Sequence, residues 1–168
     1  MFKNEAEFSR TLKTWLEEEG MAVQPIESAG VAVGIPDIYF SDARCKGWIE
    51  LKNVKSLNQA CNVPLRPGQY AWLRRFCKKG TFCVLMVAYG EGIAVIDNKR
   101  IKARFTADEI RSYTVPETGE ACVEAIIGAY NEENNTASGI YDDLRIESIS
   151  PDSGYISLSG GFYNCGNS

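Results

Sequence analysis

Two charged residues stand inside a short apolar run, Trp48-Ile49-Glu50-Leu51-Lys52. Side chains alternate between the two faces of a β-strand, so Glu50 and Lys52 share one face, roughly 6–7 Å apart. Ile49 and Leu51 then point to the other face. Because a sheet would otherwise bury unpaired charge here, the pattern predicts a strand that carries a functional site. The alternative is a solvated strand, since a Glu-x-Lys tripeptide occurs by chance in about every other chain of this length.

A third charged residue, Asp37, precedes the apolar run Ile38-Tyr39-Phe40. A short polar segment ending at Gly47 separates this run from the next, and a connection of that length joins two adjacent antiparallel strands. Asp37 and Glu50 can therefore converge, and converging carboxylates favour a hard cation such as Mg²⁺ or Mn²⁺. Lys52 could then position or deprotonate an attacking water. The glycines before Asp37 indicate either a turn or a close passage for DNA.

These residues, followed by Arg66-Pro67-Gly68-Gln69 at the start of a basic helix, resemble the PD-(D/E)xK nuclease superfamily. The layout is similar to small VRR-NUC-type nucleases and to the Holliday-junction-resolvase-like nucleases of phages, over roughly residues 4 to 97. The resemblance implies an α/β, restriction-endonuclease-like core with a mixed central β-sheet flanked by helices. It also implies a metal ion held by Asp37, Glu50 and the Leu51 carbonyl, with Lys52 acting on the nucleophilic water.

The family usually takes a further carboxylate from its first helix. Residues 4 to 19 have apolar side chains at helical spacing, and Gly20 supplies a stop. Glu5 projects from the buried face, whereas Glu7 is rotated away from it, so Glu5 is the predicted additional metal ligand. The alternative is that both acids only complement the helix dipole in the first turn.

Basic charge is concentrated beside these residues. The chain has a net charge of −4, but residues 43 to 80 contain nine basic residues and one acidic residue, a net charge of +8. Such a segment can capture a phosphate backbone. The predicted DNA-binding residues are Lys55, Arg66, Arg74 and Arg75. Gln69 is predicted to lie near the metal or the scissile phosphate, as it often does in the family, with an ordinary first-turn residue as the alternative.

Composition excludes several other chemistries. The chain has no histidine, and its six cysteines contain no Cys-x-x-Cys pair, which argues against zinc fingers, catalytic triads and cysteine–histidine nucleophiles. Neither a membrane-spanning segment nor a signal peptide is expected, and no nucleotide cofactor is implied. We therefore expect a cytoplasmic protein, in the host cytoplasm if it is viral.

The predicted domain organisation has two parts. Residues 1–114 form the nuclease core, and residues 115–168 form an acidic, turn-rich C-terminal extension of unknown role. This extension has nine acidic residues and Arg145 as its single basic one. A further hypothesis is that it competes with DNA for the basic surface.

The sequence thus predicts a Mg²⁺-dependent DNA endonuclease in which Mn²⁺ can substitute. Asp37, Glu50, Lys52 and Gln69 are the predicted catalytic residues. Selectivity for Holliday junctions or other branched DNA is possible and would require a homodimer. Two alternatives remain: a non-catalytic DNA-binding module that keeps the nuclease fold, and an acidic protein-interaction factor.

Overall fold

The computed structural model describes residues 2–26, 34–57, 63, 65–77, 80–138, 145–149 and 156–159. These residues form four helices, which are α1 (Glu5–Glu18), α2 (Pro67–Cys77), α3 (Ala107–Ser112) and α4 (Gly119–Ser138). They also form eight strands, which are β1 (Ala22–Pro25), β2 (Ile38–Ser41), β3 (Lys46–Asn53), β4 (Cys83–Tyr89), β5 (Gly92–Asp97), β6 (Thr114–Val115), β7 (Arg145–Ile149) and β8 (Ile156–Ser159). The chain divides into two compact units, Met1–Tyr130 and Asn131–Ser168.

A mixed sheet organises the first unit. Its strand order is β1-β2-β3-β4-β5-β6. The β3–β4 pair is parallel, and the other neighbouring pairs are antiparallel. Parallel neighbours need a crossover connection, and helix α2 lies in the segment that joins β3 to β4. The predicted antiparallel pairing of the two strands that follow Asp37 is confirmed by β2 and β3.

Helices cover both faces of the sheet, as predicted for a flanked mixed sheet. On one face, Phe8, Leu12 and Leu16 of α1 pack with residues of α4 against Ile49 and Leu51. On the other face, Leu73 of α2 and Ile110 of α3 pack against β4 and β5. Every residue of β4 is buried, as expected for a central strand with a continuous apolar run.

The first helix begins and ends where its sequence predicts. The Asn4 side chain accepts a hydrogen bond of 2.9 Å from the Glu7 backbone N–H, which satisfies one of the donors exposed at a helix start. The buried positions Phe8, Leu12 and Leu16 follow helical spacing. Gly20 adopts φ = 84°, a left-handed conformation that glycine accepts without strain and that follows the helix C-terminus.

Helix α4, which lies beyond the predicted domain boundary after residue 114, packs in part with the core. Cys122, Val123 and Ile126 are buried in the same cluster as α1, and the compact first unit extends to Tyr130. The polar stretch from Asn131 was predicted to be turn-rich, but α4 continues through it to Ser138. Apolar residues at helical spacing before this stretch anchor a helix that polar residues then extend.

The second unit contains the last turns of α4 and a two-stranded sheet. Strands β7 and β8 are antiparallel, with a register irregularity between Ile146 and Ser148. Among the residues with described structure, no helix is both long and apolar enough to cross a membrane.

The role of α4 in the core leads to a stability prediction. Replacing Ile126 by Ala removes a fully buried side chain and should lower the free energy of unfolding by about 3 kcal/mol. The exposed Glu124 on the same helix provides the matched control, since Glu124→Ala removes no buried contact. Urea denaturation followed by circular dichroism measures both. Equal, small effects would show that α4 does not pack on the sheet.

Candidate metal-binding and catalytic site

The β2–β3 pairing brings Asp37 beside the Glu50 segment. Ile38, the first residue of β2, is paired with Ile49, so Asp37 stands next to the following residues of β3. One Asp37 oxygen, Oδ2, accepts a hydrogen bond of 2.8 Å from the Leu51 backbone N–H. This bond ties the carboxylate to the backbone of the strand that carries Glu50 and Lys52.

Glu50 and Lys52 form a buried ion pair on the α2 face of the sheet. Their exposed fractions are 0% and 4%. Lys52 Nζ lies 2.5 Å from Glu50 Oε1, and it donates a second hydrogen bond of 2.6 Å to the Leu51 carbonyl oxygen. Ile49 and Leu51 pack in the core beneath α1, so the alternation of faces predicted from the sequence is confirmed.

Gln69 connects the N-terminus of α2 to this pair. Its side-chain Nε2 donates a hydrogen bond to Glu50 Oε1, and its Oε1 accepts a 3.0 Å hydrogen bond from the Arg66 backbone N–H. The second bond is half of a capping box, in which the third helical residue reaches back to the residue before the helix. Both ends of the amide are held, so Gln69 presents its N–H₂ group to Glu50 in a fixed orientation.

The second oxygen of Glu50 has no such partner. Glu50 Oε2 is buried and receives no hydrogen bond from any residue that the structure describes. The buried Asp97, by contrast, accepts bonds from the backbone of Lys99 and Arg100 and from the Arg100 side chain, as expected of an acid that stabilises a turn. A bare carboxylate oxygen beside a second carboxylate and a backbone carbonyl is an oxygen donor set that suits Mg²⁺ or Mn²⁺.

Burial and neighbouring charge change the acidity of Glu50. Removal from water, and next the negative charge of Asp37, raise the pKa of its carboxyl to about 7 against the opposing effect of Lys52. Below about pH 7 the uncharged form of Glu50 is therefore favoured, and an additional cation at the carboxylate would favour the charged form. This is the electrostatic behaviour expected of a carboxylate that serves as a metal ligand.

Glu5 lies at the edge of the site. Its side chain is 46% exposed, and its Oε2 is 3.7 Å from Lys52 Nζ. Glu7 instead accepts a hydrogen bond from the Lys3 backbone, away from the site. In the described part of the chain, no group of three or more acidic or cysteine side chains is arranged to hold a metal ion. The role of Glu5 as an additional ligand stays a prediction.

The predicted DNA-binding residues lie on exposed positions near α2. Arg66 precedes the helix, Arg74 and Arg75 are exposed on it, and Lys55 is exposed after β3. The Arg75 guanidinium lies 6.0 Å from the centre of the Phe76 ring, in reach of a cation–π contact. Lys78 and Lys79 fall outside the described residues.

Sequence reasoning missed a close backbone contact that positions the site. Gly34 adopts φ = 98°, and a Cβ atom there would lie 2.3 Å from the Gly68 carbonyl oxygen. Gly34 therefore lies against the backbone of α2, at the residue before Gln69. The glycines themselves were the available signal, although sequence alone does not show which backbone segment comes close.

Comparisons with known proteins agree with this fold. No protein-family model and no curated protein matches the chain. Twenty-two chains of solved structures match. One is a Holliday junction resolvase (Hjc) from the archaeal hyperthermophile Archaeoglobus fulgidus, with a TM-score of 0.52 and 18% sequence identity. The match covers 69% of this chain and 98% of the resolvase chain. The chain thus has the α/β, restriction-endonuclease-like nuclease fold.

The Gly34 contact can be tested against a matched glycine. Gly20 also has a positive φ, but no heavy atom lies within 4 Å of a Cβ built there. Gly20→Ala should therefore lower the free energy of unfolding by about 1 kcal/mol, from backbone strain alone. Gly34→Ala should cost about 1–3 kcal/mol more, because the backbone at Gly68 must shift. Chemical denaturation measures both, and equal losses would contradict the close contact.

The raised pKa of Glu50 predicts a pH-dependent effect on stability. Because its pKa in the folded protein is above its value in the unfolded chain, Glu50 contributes stability below about pH 4.5 that is lost as the pH rises through 7. Glutamine cannot ionise. Between pH 5 and pH 8, the free energy of unfolding of Glu50→Gln should therefore rise by roughly 2 kcal/mol relative to that of wild type.

The measurement is the urea-unfolding free energy of both proteins in EDTA across this pH range. Glu124→Gln, which changes an exposed acid, is the control. A difference between wild type and Glu50→Gln that stays constant with pH would contradict the proposed environment of Glu50.

Proposed function

We propose that the protein is a Mg²⁺-dependent DNA endonuclease. The observation that carries the proposal is the fully buried Glu50 carboxylate, which has one oxygen without a donor among the described residues and has Asp37 and the Leu51 carbonyl as neighbours. A nuclease fold holds this donor set at the end of a central strand. The arrangement suits a divalent cation better than it suits structural stability, since burying a carboxylate without full compensation is costly.

Asp37, Glu50 and the Leu51 carbonyl would hold the metal ion, and Glu5 is the predicted additional ligand. Mg²⁺ is the expected ion, and Mn²⁺ should substitute because both accept carboxylate and carbonyl oxygens. When bound, such an ion stabilises charge on a phosphate and lowers the pKa of a bound water.

Lys52 would act on the reacting groups, and Gln69 would orient a metal ligand. The Lys52 ammonium would orient the attacking water and offset charge on the scissile phosphate. Gln69, held at both ends of its amide, would fix the orientation of Glu50. Arg66, Arg74, Arg75 and Lys55 would contact phosphates on either side of the cleaved bond, which positions DNA without reading its sequence.

The proposed substrate is branched DNA, including Holliday junctions. One solved protein that shares this fold, from Archaeoglobus fulgidus, is named as a Holliday junction resolvase. Paired incisions across a junction need two sites at a fixed separation, so a homodimer is proposed as well. The narrower resemblance to VRR-NUC-type and phage nucleases and the cytoplasmic location remain predictions from the sequence.

The test is cleavage of a four-way junction and of a linear duplex of the same sequence. Wild-type protein with Mg²⁺ should cut the junction, and EDTA should abolish cutting. Asp37→Ala should lower the rate by at least roughly 10²-fold, because it removes a metal ligand. Lys52→Ala should lower the rate by a comparable factor, within the roughly 10²–10⁴-fold range of lost proton-transfer catalysis.

Binding measurements separate this proposal from the alternatives. Asp37→Ala should still bind the junction in EDTA, whereas the double change Arg74→Ala and Arg75→Ala should weaken binding and reduce its salt dependence. Arg111→Ala, at an exposed arginine of α3, is the control. Binding without Mg²⁺-dependent cleavage would favour the non-catalytic DNA-binding module, and absence of binding would favour the acidic interaction factor.

A further inference from the structure

Lys52 makes its two closest contacts with atoms that are proposed metal ligands. Its ammonium lies 2.5 Å from Glu50 Oε1 and 2.6 Å from the Leu51 carbonyl oxygen. We propose that this ammonium holds the cation position of the metal-free centre, and that a divalent ion binds by displacing it toward Glu5. The inference rests on the proposed metal-dependent function and specifies how its site is gated.

Lys52 and a divalent ion compete because both bind in the small space beside the Glu50 carboxylate and the Leu51 carbonyl oxygen. A Mg²⁺ ion coordinates oxygen at about 2.0–2.1 Å. An ion bound to the Leu51 carbonyl oxygen and to either oxygen of Glu50 would therefore lie very close to Lys52 Nζ, and two cations that close repel strongly. Lys52 Nζ must move away before the Leu51 carbonyl oxygen and Glu50 can coordinate the same ion.

The two oxygens of Glu50 show where a cation can enter. Oε1 accepts hydrogen bonds from both Lys52 and Gln69, while Oε2 is buried and has no donor among the described residues. An entering ion can therefore bind Oε2 first. Gln69 does not need to move, because it stays bonded to Oε1 and to the Arg66 backbone.

Glu5 offers the displaced ammonium a second acceptor. Its Oε2 is 3.7 Å from Lys52 Nζ, and its side chain is 46% exposed, compared with 6% for that of Lys52. A small rotation of the flexible lysine side chain would move its charge from the buried oxygens to the partly solvated carboxylate. Glu5 would then act as a positioning residue for Lys52, in place of the ligand role predicted from the sequence, with the ammonium at the solvent side of the metal.

The first test measures Mn²⁺ affinity from the free-ion signal in electron paramagnetic resonance. Lys52→Met keeps the apolar stem and removes the competing charge, so the Mn²⁺ dissociation constant should fall roughly tenfold, the equivalent of one charge-assisted hydrogen bond. Lys46→Met, at the exposed start of β3, removes an equal charge away from the centre and sets the background effect.

The outcomes distinguish the inference from the proposed function. Tighter binding in Lys52→Met than in Lys46→Met supports displacement, and equal or weaker binding overturns it. If neither variant nor wild type binds Mn²⁺, the metal centre itself is refuted. If Lys52→Met does not fold, the labelling of Lys52 in the wild-type protein decides whether the ion displaces the lysine.

The second test follows the exposure of Lys52 in the wild-type protein. Acetylation by a small reagent, read by mass spectrometry, should label Lys52 several-fold faster in saturating Ca²⁺ than in EDTA, while Lys46 changes little. Ca²⁺ takes similar oxygen ligands and gives a readout that does not depend on cleavage. Unchanged labelling of Lys52 under saturating Ca²⁺ would show that the ion binds without moving the lysine.

A double-mutant cycle tests the part assigned to Glu5. If Glu5 acts through Lys52, Glu5→Gln should weaken Mn²⁺ binding in the wild-type background and have no effect in the Lys52→Met background. If Glu5 were a metal ligand, Glu5→Gln would weaken Mn²⁺ binding equally in both backgrounds. That second result would assign Glu5 to the ion and overturn its role as the acceptor of the ammonium.

Discussion

The site depends on one electrostatic constraint, the burial of the Glu50 carboxylate. An ionised carboxylate without water is unstable unless positive charge and hydrogen bonds replace its hydration. Here Lys52 and Gln69 both donate to Oε1, and Oε2 has no donor among the residues that the structure describes. The compensation is therefore partial, and in the proposed function a divalent cation would complete it.

The topology of the sheet places the buried pair at the end of a strand that two helices also reach. Glu50 and Lys52 lie near the C-terminal end of β3, a central strand between β2 and β4. The first residue of α1, Glu5, and the first turn of α2, with Gln69, both reach this end of the strand. Two helix N-termini therefore converge there, and their dipoles favour the negative charge of carboxylates and phosphates. Glu50 and Lys52 are buried at this end of the strand, and Glu5 beside them is 46% exposed.

The elements that carry the site followed local rules and could be predicted. Alternation along β3 separated Glu50 and Lys52 from Ile49 and Leu51, and the capping and spacing of α1 gave its bounds. The contribution of α4 to the core could not be predicted in this way. The change to acidic, polar composition after residue 114 suggested an extension, yet Cys122, Val123 and Ile126 pack in the core. A few buried side chains on one helical face outweigh the average composition of a segment, because burial depends on the face and not on the mean.

By itself the sequence determined which residue types meet on one strand: two charges two positions apart must share a face, because the pleat has a period of two. The tertiary structure alone decided how those charges are compensated. It placed the Leu51 carbonyl and Glu5 around Lys52, brought Gln69 to Glu50, and set Gly34 against Gly68. These contacts join segments that are distant in the chain, and they follow from packing whole helices on a sheet, for which no short sequence pattern is sufficient.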